Sequence, residues 1–92
     1  MEIHFDQEKR KITFLERGLD FARALEIFEG LHFTAQDMRF AYEEDRFITV
    51  GCLDSRLVVL VWTPRGKARP IISMRKGNDR EKALYNRHLE RS

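Results

Sequence analysis

The sequence predicts a single α+β domain in which helices pack against an antiparallel sheet. Two helical segments come early, strand-like segments then follow in a run, and a last helix ends the chain. This grouping is typical of α+β domains rather than of alternating βαβ units. Ninety-two residues can bury only one hydrophobic core. We therefore expect one domain spanning residues 1–92, with the two amino-terminal helices on one face of the sheet.

The first predicted helix is delimited by its capping residues. Asp6 is a suitable N-cap for a helix over Gln7–Arg17, and Gly18 is suited to end it. Its expected contribution to the core comes from three apolar residues: Ile12, Phe14 and Leu15.

The second predicted helix covers Phe21–Glu29, with Asp20 as its cap and Gly30 at its end. Apolar residues recur along it at the spacing of one helix face, which is the clearest local signal in the chain. These residues are Phe21, Ala24, Leu25 and Phe28.

Strand-like segments account for most of the remaining chain. Glu2–Phe5 alternates polar and apolar residues, Arg46–Cys52 is rich in β-branched residues, and Ala68–Arg75 follows a turn marked by proline and glycine. Leu31–Tyr42 shows no clean period and is interpreted as a loop or a weak edge strand.

Leu57–Thr63 is apolar at nearly every position, which predicts a central strand covered on both faces. A third helix is predicted from Asp79 to about His88, with Ala83 and Leu84 facing inward. We expect this helix to cover part of the second face of the sheet and a partner to cover the rest.

The composition excludes several classes of protein. No window approaches the roughly 18 consecutive apolar residues of a membrane span, and the amino terminus lacks the core of a signal peptide. We therefore expect a cytoplasmic protein without a membrane partner. Cys52 is the one cysteine, so no internal disulfide can form, and no set of residues has the spacing of zinc ligands. Neither a metal nor a cofactor is predicted.

The charge is distributed unevenly. Residues 1–61 contain 8 Lys/Arg and 12 Asp/Glu, whereas residues 62–92 contain 9 Lys/Arg and 3 Asp/Glu. A basic carboxy-terminal third suits a polyanionic partner, because lysine and arginine displace counterions from phosphates. An ordinary solvated surface with acidic neighbours folded over it would give the same composition.

The order and spacing of several motifs resemble one known family. The motifs are Phe5-Asp6, Arg17–Phe21, Ala24, Phe28, Asp45–Ile48, Gly51, Leu57–Thr63, Ile71–Lys76, Arg80-Glu81 and Tyr85. Together they cover nearly the whole chain and resemble BrnT, the ribonuclease toxin of a type II toxin–antitoxin pair.

The resemblance implies a RelE-like fold and an RNA-cleaving activity that stops translation. It further implies neutralisation by a BrnA-type antitoxin, and a complex that binds its own promoter DNA through the antitoxin. A homodimer and a heterotetramer with the antitoxin are both compatible with the sequence.

The chain departs from the family pattern in the first helix. Many members carry Asn, Lys and His where this sequence has Thr13, Glu16 and Arg17. Arginine keeps a positive charge but does not act as a base at neutral pH. The alternative prediction is therefore a weak or inactive homologue that acts as a binding module in a DNA-binding repressor complex.

RNA cleavage by the 2′-hydroxyl needs a proton acceptor, cationic stabilisation of the phosphorane and a donor for the leaving oxygen. Strand alternation predicts that Arg69 and Arg75 share a face, and Arg46 and Arg65 are expected to lie nearby in one polyanion groove. Solvated surface charge is the competing interpretation for Arg65 and Arg69.

Glu81 and Tyr85 are separated by four residues, so they share one face of the last helix. Glu81 is either a base or the support of an arginine, and Tyr85 either acts on RNA or packs in the core. The predicted catalytic set is Arg46, Arg65, Arg75, Glu81 and Tyr85. The predicted RNA-binding set is Arg69, Lys76 and Arg80.

Overall fold

A computed structural model describes residues 1–91 as one five-stranded sheet with helices on both faces. In chain order the elements are β1 (Glu2–His4), α1 (Gln7–Arg17), a 3₁₀ turn (Phe21–Arg23), α2 (Ala24–Glu29), β2 (His32–Gln36), β3 (Phe47–Leu53), β4 (Arg56–Trp62), β5 (Ala68–Lys76) and α3 (Asp79–Arg91). The predicted α+β class is confirmed.

The strands are arranged in the order β1-β5-β4-β3-β2. Four of them form an antiparallel meander, as predicted, but β1 pairs in parallel with β5 and makes the sheet mixed. The chain leaves β1, passes through both early helices and enters β2 at the opposite edge. Leu31–Tyr42, which the sequence predicts as a loop or a weak edge strand, thus contains the edge strand β2.

The capping residues act as the sequence predicts. The Asp6 carboxylate accepts a hydrogen bond from the Glu8 amide at 2.8 Å, and Gly18 ends α1 in the left-handed conformation with φ of 70°. Asp20 also caps its helix, through the Ala22 amide at 2.9 Å. Its first turn is 3₁₀, so α2 itself begins only at Ala24.

Strand β4 is buried on both faces, as predicted. Val58 and Leu60 belong to a core formed with α2, while Leu57 and Val59 belong to a second core on the other face. The four side chains are each at most 7% exposed. Alternation along one strand therefore supplies two separate cores.

Helix α1 contradicts the expected orientation of its apolar residues. Ile12, Phe14 and Leu15 are 50%, 55% and 74% exposed, and no residue of α1 is buried. The helix is held instead by polar contacts. Arg17 Nη1 donates to the Met74 carbonyl oxygen on β5 at 2.9 Å, and Arg10 Nε donates to Asp20 at 2.8 Å.

Helix α3 covers part of the second face, but through a different residue from those predicted. Ala83 and Leu84 are exposed, and Tyr85 is the buried residue of the helix. Its ring lies 6.2 Å from the ring of Phe33 on β2. The predicted inward face of this helix was wrong by one residue, and Ala83 and Leu84 therefore face solvent.

Gly51 on β3 lies against Ile27 of α2. A Cβ at this position would lie 2.7 Å from Cγ2 of Ile27, so Gly51→Ala requires that side chain or the helix to shift. We expect a loss of about 1–3 kcal/mol in the free energy of unfolding, measured by urea denaturation. The matched control is Gly30→Ala, whose Cβ would meet nothing closer than 3.4 Å. Equal stability of the two variants would contradict this account.

Candidate functional site

The pairing of β4 with β5 separates two arginines that the sequence places together. The register shifts at Ile72, which has no partner on β4. A bulge of this kind moves the side chains on either side of it to opposite faces of the sheet. The prediction that Arg69 and Arg75 share a face is therefore wrong.

The contacts of the two arginines confirm this separation. The guanidinium of Arg69 lies 4.6 Å from the centre of the Phe28 ring and 4.5 Å from that of Trp62, on the face covered by α2. Arg75 pairs with Val59 on β4, whose side chain belongs to the second core. Arg69 is thus a cation–π partner of the first core.

Arg75 forms a two-pronged ion pair with Glu81 of α3. Its Nη1 donates to Oε1 at 2.8 Å and its Nη2 to Oε2 at 2.7 Å, while 41% of the arginine side chain remains exposed. Glu81 Oε1 also accepts from the Asn78 amide at 2.9 Å, and Asn78 Oδ1 accepts from the Glu81 amide at 2.8 Å. This reciprocal cap of α3 fixes the carboxylate and, through it, the guanidinium.

The ion pair determines the protonation of both groups. Hydrogen bonds from Arg75 lower the pKa of Glu81, and the bonds to Glu81 raise the pKa of Arg75. Glu81 therefore remains a carboxylate with its oxygens engaged. Of the two roles predicted for it, the geometry matches the support of an arginine and not the base.

Tyr85 lies in the second core with its hydroxyl turned inward. The hydroxyl donates to the Leu31 carbonyl oxygen at 2.9 Å, and the residue is 8% exposed. Burial raises the pKa of its phenol, with a further contribution from Cys52. The tyrosine therefore packs in the core in this structure.

Arg46 and Arg65 line a separate cavity of ≈ 530 Å³ at one end of the sheet, together with Lys9 of α1. The guanidinium of Arg46 lies 4.2 Å from the centre of the Tyr42 ring. Arg65 Nη2 lies 3.2 Å from Glu44. These two arginines do come together as predicted, but neither Arg69 nor Arg75 lines this cavity, so the predicted four-arginine groove does not form.

Lys76 and Arg80 are both exposed, at the end of β5 and in the first turn of α3. In the sequence they lie between Arg75 and Glu81. Their positions leave both cations accessible to an anionic partner.

The loop between β2 and β3 contains a cluster that the sequence did not reveal. The Asp37 side chain is 1% exposed and accepts hydrogen bonds from Arg39 Nε at 2.9 Å and from the Tyr42 hydroxyl at 3.0 Å. These bonds hold the pKa of Asp37 below its usual range. Arg39 lies near enough to Arg75 for its charge to lower the pKa of that residue. In the sequence, the signal for this cluster is the separation of an acid, Asp37, and a base, Arg39, by a single residue.

These observations define a small α+β protein whose sheet presents a fixed arginine on one face. Residues 5–81 match the sequence model described as the ribonuclease toxin BrnT of a type II toxin–antitoxin system, and the chain belongs to this family. A protein antitoxin is therefore its implied partner. No curated protein sequence matches the chain closely enough to be reported. The matched range includes Arg46, Arg75 and Glu81 and ends before Tyr85.

Within residues 1–91, no group of three or more His, Cys, Asp and Glu side chains could hold a metal ion. Across the same range, no helix is long and apolar enough to cross a membrane.

The Arg75–Glu81 pair gives a pH-dependent contribution to stability. Because the pKa of Glu81 is lowered in the folded state, the contribution is present above the ordinary glutamate pKa and is lost as pH falls through the folded value. We expect Glu81→Gln to cost about 1 kcal/mol at pH 7 and less near pH 3. Urea denaturation at both pH values measures the difference, with exposed Glu90→Gln as control. A cost independent of pH would contradict the assignment.

Proposed function

We propose that the chain is an endoribonuclease in which Arg75 stabilises the charge of the cleavage transition state. The observation that carries the proposal is the ion pair with Glu81, which fixes a partly exposed guanidinium on the sheet. A group held in place before the reaction stabilises developing charge without reorganisation.

Arg75 keeps N–H groups for a phosphate while bound to Glu81. A guanidinium has five N–H donors, and the two principal bonds to the carboxylate use one on each terminal nitrogen. The remaining donors and the positive charge suit the phosphorane formed when the 2′-hydroxyl attacks. Arg39, which is paired with Asp37, lies close enough to lower the pKa of Arg75.

Arg46 and Arg65 are proposed to contact RNA away from the scissile phosphate. They line one cavity, and the Glu44 carboxylate beside Arg65 would have to give way to a phosphate. Lys76 and Arg80, both exposed, extend the cationic surface beside Arg75. Arg69 is assigned a packing role because it stacks on Phe28 and Trp62.

Neither Glu81 nor Tyr85 suits general acid–base chemistry in this arrangement. The carboxylate has a lowered pKa and two bound guanidinium nitrogens, and the phenol is buried with a raised pKa. The proposal therefore assigns Glu81 as a positioning residue and attributes the rate enhancement chiefly to positioning and charge stabilisation.

The proposed biological role follows from the family. RNA cleavage would stop translation in the cytoplasm until a BrnA-type antitoxin binds the toxin. The toxin–antitoxin complex would then repress its own promoter, with the antitoxin making the DNA contacts.

Arg75→Ala tests the central residue. We expect RNA cleavage by the purified chain to fall about 100- to 1,000-fold, because a preorganised donor to the transition state is lost. Arg75→Lys should recover little, since lysine cannot reproduce the two-pronged pair with Glu81. Cleavage of a labelled RNA is the measurement, and Arg87→Ala, an exposed arginine of α3 that is assigned no contact with RNA, is the control.

The same variants can be tested by their effect on the growth of cells that express them. Expression of the parent chain without its antitoxin should arrest growth, and Arg75→Ala should relieve the arrest. Growth unaffected by the parent chain, or cleavage unchanged in Arg75→Ala, would refute the proposal.

A binding module without activity is the second candidate. It is favoured by Arg17, which replaces the usual histidine and is engaged with the Met74 carbonyl oxygen, and by the lack of a suitable base at Glu81 or Tyr85. It predicts no RNA cleavage by the purified chain. It also predicts an electrophoretic mobility shift of the promoter DNA that requires both this chain and the antitoxin. A shift of equal size with the antitoxin alone would exclude it.

A further inference from the structure

The loop between β2 and β3 is organised around the buried carboxylate of Asp37. Its Oδ1 accepts hydrogen bonds from the Arg39 amide at 3.2 Å and from Arg39 Nε at 2.9 Å. Its Oδ2 accepts from Arg39 Nη2 at 2.9 Å and from the Tyr42 hydroxyl at 3.0 Å. Because a buried charge is tolerated only where its hydrogen bonds are satisfied, Asp37 fixes the positions of both partners.

The same hydrogen bonds extend to Arg46 at the base of the loop. The Asp37 amide donates to the Arg46 carbonyl oxygen at 2.7 Å. The Arg46 guanidinium lies 4.2 Å from the centre of the Tyr42 ring, whose hydroxyl is bonded to Asp37. We call Asp37, Arg39, Tyr42 and Arg46 the Asp37 cluster. One carboxylate thus holds Arg39 directly and Arg46 through a tyrosine.

The Asp37 cluster lies on the same face of the sheet as Arg75. Phe33 on β2 packs against the second core, and Val59, whose partner on β5 is Arg75, belongs to that core. Alternation along β2 places Asp37, four residues after Phe33, on the same face. In agreement with this placement, the charge of Arg39 lowers the pKa of Arg75.

An open row of side chains separates the Asp37 cluster from Arg75. Its four residues pair in register across the sheet: Ala35, Ile48, Val61 and Ser73. None of the four is fully buried, whereas Val50 and Val59 in the neighbouring row are 4% and 0% exposed beside Tyr85 of α3. A ligand on this part of the second face therefore meets arginines on two sides of the open row.

The Asp37–Arg39 pair presents its cation and conceals its anion. The Asp37 side chain is 1% exposed, while that of Arg39 is 64% exposed. The carboxylate binds Nε and Nη2 of Arg39, so the N–H groups on Nη1 make no bond to it. The nearby acid Glu44 is itself bonded to Arg65. The charge that the pair offers to a ligand is therefore positive, which suits a phosphate.

We propose that Arg39 binds a phosphate of the RNA across the open row from Arg75, and that Asp37 is the positioning residue that holds Arg39 and Arg46 for RNA binding. The inference deepens the proposed function and rests on it, because it takes RNA as the ligand. Asp37 does not touch the RNA. It acts through guanidinium groups that are ordered before binding, which lowers the entropy cost of the contact.

Arg39→Ala tests the phosphate contact. The probe is a single-stranded RNA with 2′-O-methyl groups, which lacks the attacking hydroxyl and therefore binds without being cut. We expect Arg39→Ala to weaken binding about 10-fold and to reduce the slope of log affinity against log salt by about 1, because one phosphate contact is lost. Fluorescence anisotropy over a range of salt concentrations measures both quantities. An affinity and a slope equal to those of the parent would overturn the inference.

A double-mutant cycle tests the role of Asp37. In Asp37→Asn, where Arg39 has lost its ionic partner, Arg39→Ala should weaken binding less than about 3-fold, against about 10-fold in the parent. The matched control is Asp45→Asn, which changes an exposed acid of the same loop bonded to Gln36, and in which the full loss should remain. Equal losses in all three backgrounds would overturn the assignment of Asp37, because a residue that only stabilises the fold leaves the cost of Arg39→Ala unchanged.

Arg39→Lys is a second test of positioning, and it remains available if circular dichroism shows that Asp37→Asn is unfolded. Lysine keeps the positive charge but cannot bond both carboxylate oxygens in the planar geometry of a guanidinium, so it should recover less than about 3-fold of the lost affinity. An Arg39→Lys variant that binds the probe as the parent does would show that charge alone suffices, and it would overturn the role of Asp37.

The inference and the proposed function can fail separately. A parent that binds the probe through Arg39 but cleaves no RNA would refute the proposed function and leave the inference intact. A parent that cleaves RNA, with probe binding unchanged in Arg39→Ala, would refute the inference alone. A parent that neither binds the probe nor cleaves RNA would refute both.

Discussion

The fold depends on the burial of β4 from both sides. Its alternating side chains enter two cores, so each face of the sheet needs its own cover. Helix α2 covers one face and α3 covers part of the other, from opposite ends of the sequence. A small domain thereby gains two cores from one central strand.

The candidate site is formed where the second core meets the surface. Arg75 emerges from β5 beside α3, and Glu81, which caps that helix, binds it. One carboxylate thus serves the helix and the cation at the same time. The arrangement favours rigidity over acid–base capacity, since the carboxylate that fixes the arginine has a lowered pKa. A toxin that uses positioned charge would have this form.

Several predictions failed where a single residue shifts the phase of an element. The bulge at Ile72 moves Arg69 to the face opposite Arg75, and strand alternation read from sequence cannot anticipate an unpaired residue. In α3 the inward residue is Tyr85 and not Leu84. In α1 the apolar residues face outward, because an ion pair with Asp20 and a hydrogen bond to the Met74 carbonyl oxygen, and not apolar burial, hold the helix. These failures concern which side a residue faces, whereas the bounds of α1, β3, β4, β5 and α3 lie close to those predicted.

The sequence by itself determined the elements, their caps and the central strand, because these depend on local residue chemistry and on continuous apolar runs. It also determined the family, through motifs that run from Phe5 to Tyr85, and the family model matches residues 5–81. Only the tertiary structure decided which arginines meet, since that depends on strand register and on contacts between distant segments. The pairing of Arg75 with Glu81, the approach of Arg39 from the β2–β3 loop and the outward face of α1 all belong to this second group.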